Sequence, residues 1–279
     1  MRIEPGSQPF KPISRPKGAT MIIRNRTLYM LIALSGVATT AAAQESSPDS
    51  LTLGVGGQYA PRYSGANHQT LTVAPVVQVR HGAFFFDTEK GLGYDLQSDS
   101  GVYFEHALGV SLGRADKNSD WREGANSLKG MGTIKTALNT SLALGWSVTP
   151  WLVVEGKATL PLTDSQGVQY QTSLTLLPFQ DTTDTVAFQS AALFGDSRYM
   201  NTFYGVSARQ SARTGYGRYD TQGGFYGVSN NLSWSHQFGE HWGTTLSAGY
   251  TWLGDKAADS PIVRQRNQTT AAVAVTYTF

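Results

Sequence analysis

Along most of this chain apolar and polar residues alternate one by one, and the clearest run comes last. Ala271, Val273, Val275, Tyr277 and Phe279 occupy every second position, with Thr270, Ala272, Ala274, Thr276 and Thr278 between them. A period of two places the two sets on opposite faces of a strand. In a soluble protein an apolar edge strand of this kind invites aggregation. In a closed membrane barrel the last strand pairs with the first, and its aromatic end sits at the interfacial girdle. The pattern therefore predicts residues 268–279 as the closing strand of an outer-membrane β-barrel. Val273, Val275, Tyr277 and Phe279 are its expected assembly signal.

Similar segments recur from residue 51 onward, separated by turn residues. The spacing predicts strands over 51–59, 70–79, 83–87, 91–97, 101–113, 133–147, 151–162, 168–178, 185–194, 223–237, 242–254 and 268–279. The fold class is all-β, a closed antiparallel transmembrane barrel of about twelve strands. An even count lets both ends of the barrel lie on the periplasmic side. The connections near 80–82, 98–100, 148–150, 179–184 and 238–241 are short, as periplasmic turns are. Those at 114–132, 195–222 and 255–267 are long, as outer loops are.

The alternation also assigns faces. Ile134, Thr136, Leu138, Thr140, Leu142, Leu144 and Trp146 share one side of the sixth strand, against Lys135, Asn139 and Ser141. In the seventh, Leu152, Val154, Ala158 and Leu160 oppose Glu155 and Lys157. Lipid tolerates only the apolar sets, so the charged sets face the lumen. Trp146 and Trp151 flank one short turn, and Trp234, Phe238 and Trp242 surround another. These amphipathic rings mark the periplasmic girdle.

Composition changes the picture in two places. Hydrophobic content is only 40%, which alternating strands explain, and the chain has no cysteine. The formal charge of +2 comes from the N-terminal part: residues 1–43 hold six Lys or Arg and one Glu, leaving 16 basic and 19 acidic residues beyond. No basic field for nucleic acid remains. Residues 21–43 read as a secretory signal peptide, with Arg24 and Arg26 before an apolar middle and Ala41, Ala42 and Ala43 at the cleavage site. Residues 1–20 are expected to be an upstream extension or a misassigned start, 44–50 a periplasmic lead-in, and 51–279 the barrel.

Several stretches resemble the MltA-interacting protein (MipA)/OmpV family of Gram-negative outer-membrane proteins. They are Ala60-Pro61-Arg62-Tyr63-Ser64-Gly65, Ala74-Pro75-Val76, Phe84-Phe85-Phe86 and Gly91-Leu92-Gly93-Tyr94-Asp95-Leu96. Leu128-Lys129-Gly130-Met131-Gly132 follows, then Tyr199-Met200-Asn201-Thr202-Phe203-Tyr204-Gly205-Val206-Ser207 and Asp259-Ser260-Pro261-Ile262-Val263. The resemblance implies an outer-membrane barrel. For one branch it implies a scaffold that holds a murein-cleaving transglycosylase near a murein synthase; other members are described as surface antigens, adhesins or envelope-stress proteins.

No catalytic constellation emerges from the sequence. A serine hydrolase needs a base and a group that orients it. His106 lies among the outward residues Phe104 and Leu108 without a serine motif or paired acid. His236 and His241 bracket a periplasmic turn, and His68 and His81 are lone residues at loop or turn ends. No cofactor and no metal site is expected. Glu105, Lys135, Glu155 and Lys157, with Gln78 or Arg80, are the candidate lumen residues. They either set selectivity in a small-solute pore or fill the barrel as a network of paired charges.

The stretch 195–222 interleaves Tyr199, Phe203, Tyr204, Tyr216 and Tyr219 with Arg198, Arg209, Arg213 and Arg218. Arg198, Tyr199, Phe203, Tyr204, Arg213, Tyr216 and Tyr219 are candidates for recognition, since such residues anchor interfaces. The same residues would equally pack inward as a plug. Arg264 and Arg266 are expected to pair with Asp255 and Asp259 or to meet outer-leaflet phosphates. The sequence thus predicts a non-enzymatic barrel with outer-membrane lipid around it, in a scaffold role, with pore and adhesin as rivals.

Overall fold

The computed structural model of the protein describes residues 49–279. The expected upstream extension, signal peptide and most of the lead-in lie outside them. Twelve antiparallel strands close into one barrel. They are β1 (Ser50–Pro61), β2 (Gln69–His81), β3 (Phe84–Asp87), β4 (Gly91–Gln97), β5 (Val102–Ser111) and β6 (Ala137–Thr149). After them come β7 (Leu152–Pro161), β8 (Gln169–Gln180), β9 (Asp184–Gly195), β10 (Gly224–Phe238), β11 (Trp242–Leu253) and β12 (Asn267–Thr278).

Each strand pairs with its neighbours in sequence, and β1 closes on β12. Leu53 lies opposite Tyr277, Val55 opposite Val275 and Tyr59 opposite Ala271. The Phe279 N–H extends that seam by donating to the Leu51 carbonyl at 2.9 Å. The expected closing strand is thus the one that closes the barrel, and no edge is left at the seam.

The sequence-based strand limits fail most at the fifth and sixth strands, expected over 101–113 and 133–147. Gly113 takes a φ of 66° and turns the chain out of the ladder. Beyond it only one bridge, between Arg114 and Ile134, continues the pairing. Ile134, Lys135 and Thr136 consequently precede β6 instead of belonging to it.

Within the strands the expected faces hold. Leu138, Leu142, Leu144 and Trp146 are exposed on the outside of β6, while Ala137, Ser141 and Ala143 are buried on the lumen side. On β7 Val154 faces out and Glu155 is buried. The rings of Trp146, Trp151, Trp234, Phe238 and Trp242 are exposed at the periplasmic end. Two of them anchor by their indole N–H, Trp146 to the Ser100 carbonyl at 3.1 Å and Trp234 to Asp184 Oδ1 at 2.8 Å. An apolar ring with a polar edge suits the lipid boundary.

The long outer loops are folded. The loop before β6 contains a two-strand parallel ribbon, with Arg114 opposite Glu123 and Ala115 opposite Gly124, and a 3₁₀ turn at Asn126–Leu128. The loop before β10 holds α1 (Ser197–Phe203) and α2 (Ala208–Thr214), and the loop before β12 holds α3 (Asp255–Ala258). Asp196 caps α1 by accepting the Tyr199 N–H at 2.6 Å. Ser207 and Gln210 form a reciprocal capping box on α2.

Candidate functional site: a charged lumen beneath a loop cap

The lumen has two chemically different walls. Across β8 to β12 it is lined by buried hydroxyls and amides, among them Ser173, Thr175, Gln189, Asn231, Ser233 and Thr245. Across β2 to β7 it is charged. Arg80 holds Asp95 through two bonds of 2.9 and 2.7 Å, and Lys90 donates to Glu105 at 2.6 Å. The ring of Phe85 lies between the two cations, 5.6 Å from the Arg80 guanidinium and 5.7 Å from the Lys90 ammonium. Tyr103 donates to Glu155 at 2.7 Å, and Gln78 to Asp87 at 2.7 Å. Charges held away from bulk water need such partners, so this wall is a network of opposite charges.

The Tyr103–Glu155 bond spans a strand. Tyr103 and Glu155 both lie opposite Gly145 of β6, one on each side. A Cβ at position 145 would sit 2.2 Å from Tyr103 Cζ. Gly145→Ala is therefore expected to push the phenol off Glu155. Gly145→Ala should lower the unfolding midpoint in the wild-type background and much less in the Tyr103→Ala background, where the ring and its bond to Glu155 are already gone. Equilibrium unfolding in vesicles, with Gly145→Ala in both backgrounds, checks this; equal losses in the two would contradict it.

Above the lumen the outer loops build a cap with its own apolar cores. Tyr63, Ala66, Ala125, Leu128, Met131, Val206 and Ile262 form one cluster, with Tyr216 and Tyr219 packed against it. Met200, Tyr204, Tyr226, Leu253 and Ala257 form a second, flanked by Tyr199 and Phe203. The clusters draw on four different loops, which are also stitched by polar bonds. The Tyr63 hydroxyl donates to the Ile262 carbonyl at 2.7 Å, the Tyr204 and Ser64 hydroxyls share a bond of 2.8 Å, and Ser260 donates to the Tyr204 carbonyl. Arg114 is buried beneath them and donates to the Phe203 carbonyl at 2.6 Å, with its guanidinium over the Tyr63 ring. Burial lowers the pKa of Arg114 from its ordinary value, and nearby Glu123 opposes that shift. Burial also raises the phenols of Tyr63 and Tyr204.

These positions correct several expectations. Lys135 is exposed at the outer rim, outside β6, because the ladder ends below it; its carbonyl accepts Gln166 Nε2 at 2.6 Å. Glu105 and Glu155 are in the charged wall, and Lys157 lies partly exposed on the same side of β7 as Glu155. Tyr204, a candidate alike for recognition and for an inward-packed plug, is 1% exposed, and Tyr199 and Phe203 pack beside it in the cap. Tyr216 and Tyr219 lean on the other cluster, with Tyr216 donating to the Ser127 carbonyl at 2.7 Å. Arg198 and Arg213 remain exposed. Arg266 pairs with Asp255 at 2.5 Å, whereas Arg264 donates to the Tyr216 hydroxyl at 2.9 Å.

His106 faces outward, edge-on to Tyr94 and 2.8 Å from Thr140 Oγ1. His236 contacts Asp184 at 2.9 Å and His81 contacts Asp49 at 2.8 Å, both at the periplasmic end. His241 contacts the Thr278 carbonyl at 2.8 Å, and His68 is exposed in the first outer loop. At the same periplasmic end Asp181 accepts backbone N–H groups of Thr183 and Asp184 at 2.8 and 2.7 Å. Those bonds hold its carboxyl below the usual range.

Asp95, Lys90, Tyr103 and Arg114 had no place in the sequence-based list. Asp95 and Tyr103 sit at lumen-parity positions of their strands, so alternation was the available signal. Lys90 in a turn and Arg114 in a loop carry none.

A closed barrel of twelve strands does not by itself name a family. A family model described as MltA-interacting protein MipA matches residues 53–279. The chain belongs to this family. It is 27% identical over 206 residues to the outer membrane protein OmpV of Vibrio cholerae serotype O1, covering 71% of this chain and 75% of that one. It is similar in shape to an outer membrane channel from Pseudomonas putida F1, with a TM-score of 0.47 and 9% identity over 88% of this chain and all of the other. It is also similar to the NanC porin, with a TM-score of 0.43 and 9% identity over 81% and 98% of the two chains. At those scores neither likeness carries an argument. This MipA-family chain is a multi-pass β-barrel of the outer membrane.

Proposed function

We propose that the protein is a non-enzymatic platform of the outer membrane, exported by the signal peptide at 21–43, that holds murein-processing enzymes on its periplasmic face. The observation that carries this reading is the cap. Its two apolar clusters cross the outer mouth and the paired charges below occupy the lumen, an arrangement suited to a closed barrel better than to a solute pore. The working surface is then the opposite end. There Asp49, Asp99, Asp181, Asp184 and Glu240 make an acidic rim, and the nearest arginine, Arg80, is turned inward to Asp95. Like charges on a rim steer a partner of opposite sign. The family's description names an interaction with MltA. Carried to this chain, that makes a murein transglycosylase the first partner, and a murein synthase the second.

The test is capture of a purified murein transglycosylase, then of a murein synthase, on the barrel reconstituted in nanodiscs. The expected result is salt-sensitive capture that falls several-fold in the triple variant Asp99→Asn, Asp181→Asn, Glu240→Gln. The outer-surface variant Arg198→Gln with Arg213→Gln should capture as well as wild type. Loss of capture in that variant instead would move the partner to the outer surface and favour an adhesin.

A further inference from the structure

The barrel wall is uneven in height. β3 and β4 have four and seven residues, between β2 with thirteen and β5 with ten. β2 pairs with β3 only through Gln78, Val79, Arg80 and His81. Residues 69–76 of β2 therefore have β1 on one side and, among the described residues, no ladder on the other. Likewise β5 pairs with β4 only up to Leu108, leaving Gly109, Val110 and Ser111 with β6 alone. Where the β3–β4 hairpin stands, β2 and β5 are three strand spacings apart, about 14 Å.

The early stop of this hairpin is built into the sequence. Asp87 Oδ1 accepts the N–H groups of Glu89 and Lys90 at 2.7 and 3.0 Å, which closes the turn. Thr88 Oγ1 accepts the Val77 N–H at 2.8 Å and donates to the Val77 carbonyl at 3.1 Å, sealing the last rung. Gly91 holds a φ of 89°, and a Cβ there would lie 2.0 Å from the Leu108 carbonyl oxygen. Antiparallel strands alternate the side to which their N–H and C=O groups point. Since Val77 points at Thr88, Pro75 points the same way, one step into the opening. A residue without an N–H belongs at such an unpaired edge.

The opening has a sill and a roof. Thr88 lies four positions along a tilted strand from the exposed Phe84 at the periplasmic end, which puts the sill about 10 Å above the periplasmic boundary, inside an apolar band about 25 Å tall. Thr88 and Glu89 are exposed there, and Lys90 turns in to Glu105. Above, the first and third outer loops meet, with Gly124 donating to the Arg62 carbonyl at 2.7 Å. Outside, the frame is apolar: Leu71, Val73, Leu108 and Val110 are all exposed. Bare backbone edges at this depth are costly against hydrocarbon alone. An occupant with a polar end removes that cost.

We propose that this slot between β2 and β5 is a lateral binding site for a single-chain amphiphile of the surrounding bilayer. Its hydrocarbon tail lies against Leu71, Val73, Leu108 and Val110. Its polar end enters over Thr88 and Lys90 into the charged side of the lumen, below the cap. The proposal rests on the barrel wall and not on the platform reading.

Because the chain has no cysteine, single cysteines carrying a bimane fluorophore report each position cleanly. Three variants in phosphatidylcholine vesicles suffice: Val73→Cys facing lipid, Ala74→Cys facing the lumen at the slot edge, and Ser229→Cys facing the lumen where the wall is complete. The probe is doxyl-labelled stearic acid, and heat-modifiable gel mobility verifies folding of each. Quenching at Ala74→Cys should match that at Val73→Cys and exceed that at Ser229→Cys several-fold. Quenching at Ala74→Cys no greater than at Ser229→Cys would overturn the proposal. So would strong quenching at all three, because the probe would then enter the lumen generally.

Discussion

Leu142→Arg is expected to lose roughly 2–4 kcal/mol of folding free energy in a bilayer, and Ser141→Arg much less. The two residues are adjacent in β6, so the pair isolates facing from position along the strand. Leu142 is 40% exposed on the outside, flanked across the ladders by His106 and Ala158. A guanidinium there meets hydrocarbon with no carboxylate on that face. Ser141 is 9% exposed in the lumen, on the same side as Glu105 and Glu155, where an added cation finds water or a counter-charge. A shift of one residue in register would exchange the outcomes. Equilibrium unfolding of both variants in the same vesicles measures the difference, and equal losses would reject the facing of this strand.

Tyr204→Ala should open the cap while leaving the barrel intact. The side chain is enclosed by Met200, Tyr226 and Leu253, and truncating a buried aromatic typically costs about 3–5 kcal/mol. The Ser64 hydroxyl also loses its partner at 2.8 Å. Met200, Tyr204 and Ala257 come from loops, and only Tyr226 and Leu253, at the outer ends of β10 and β11, tie the cluster to the ladders, so the loss should appear as local opening. Limited proteolysis is expected to cut the loop 196–223 far faster in the variant, with heat-modifiable mobility unchanged. Tyr204→Phe, which keeps the ring, should protect the loop nearly as well as wild type. Identical cleavage of Tyr204→Ala and wild type would contradict the cap as described.

Period-two patterning was enough to place the closing strand, the faces of β6 and β7 and the order of short and long connections. Each rests on local alternation, which a membrane barrel enforces residue by residue. What alternation does not encode was misread or left open. Residues 133–136 continue the pattern of β6, yet the positive φ of Gly113 takes their partner strand out of register. Tyr204 among arginines has the composition of an interface anchor and of a plug alike, and only contacts from other loops, such as Ser64 and Ser260, decide for the cap. The charged lumen was half legible. Glu105 and Glu155 were found by parity. The Arg80–Asp95 pair crosses over β3, and its geometry depends on a strand that neither residue belongs to.

A barrel closed from outside is tested most directly by conductance across a planar bilayer. Wild-type protein is expected to insert without steady channel currents. Deletion of residues 197–222, which removes α1, α2, Met200 and Tyr204, should yield discrete openings from a barrel that still shows normal heat-modifiable mobility. Steady wild-type currents of the same size as those of the deletion variant would contradict the closed barrel.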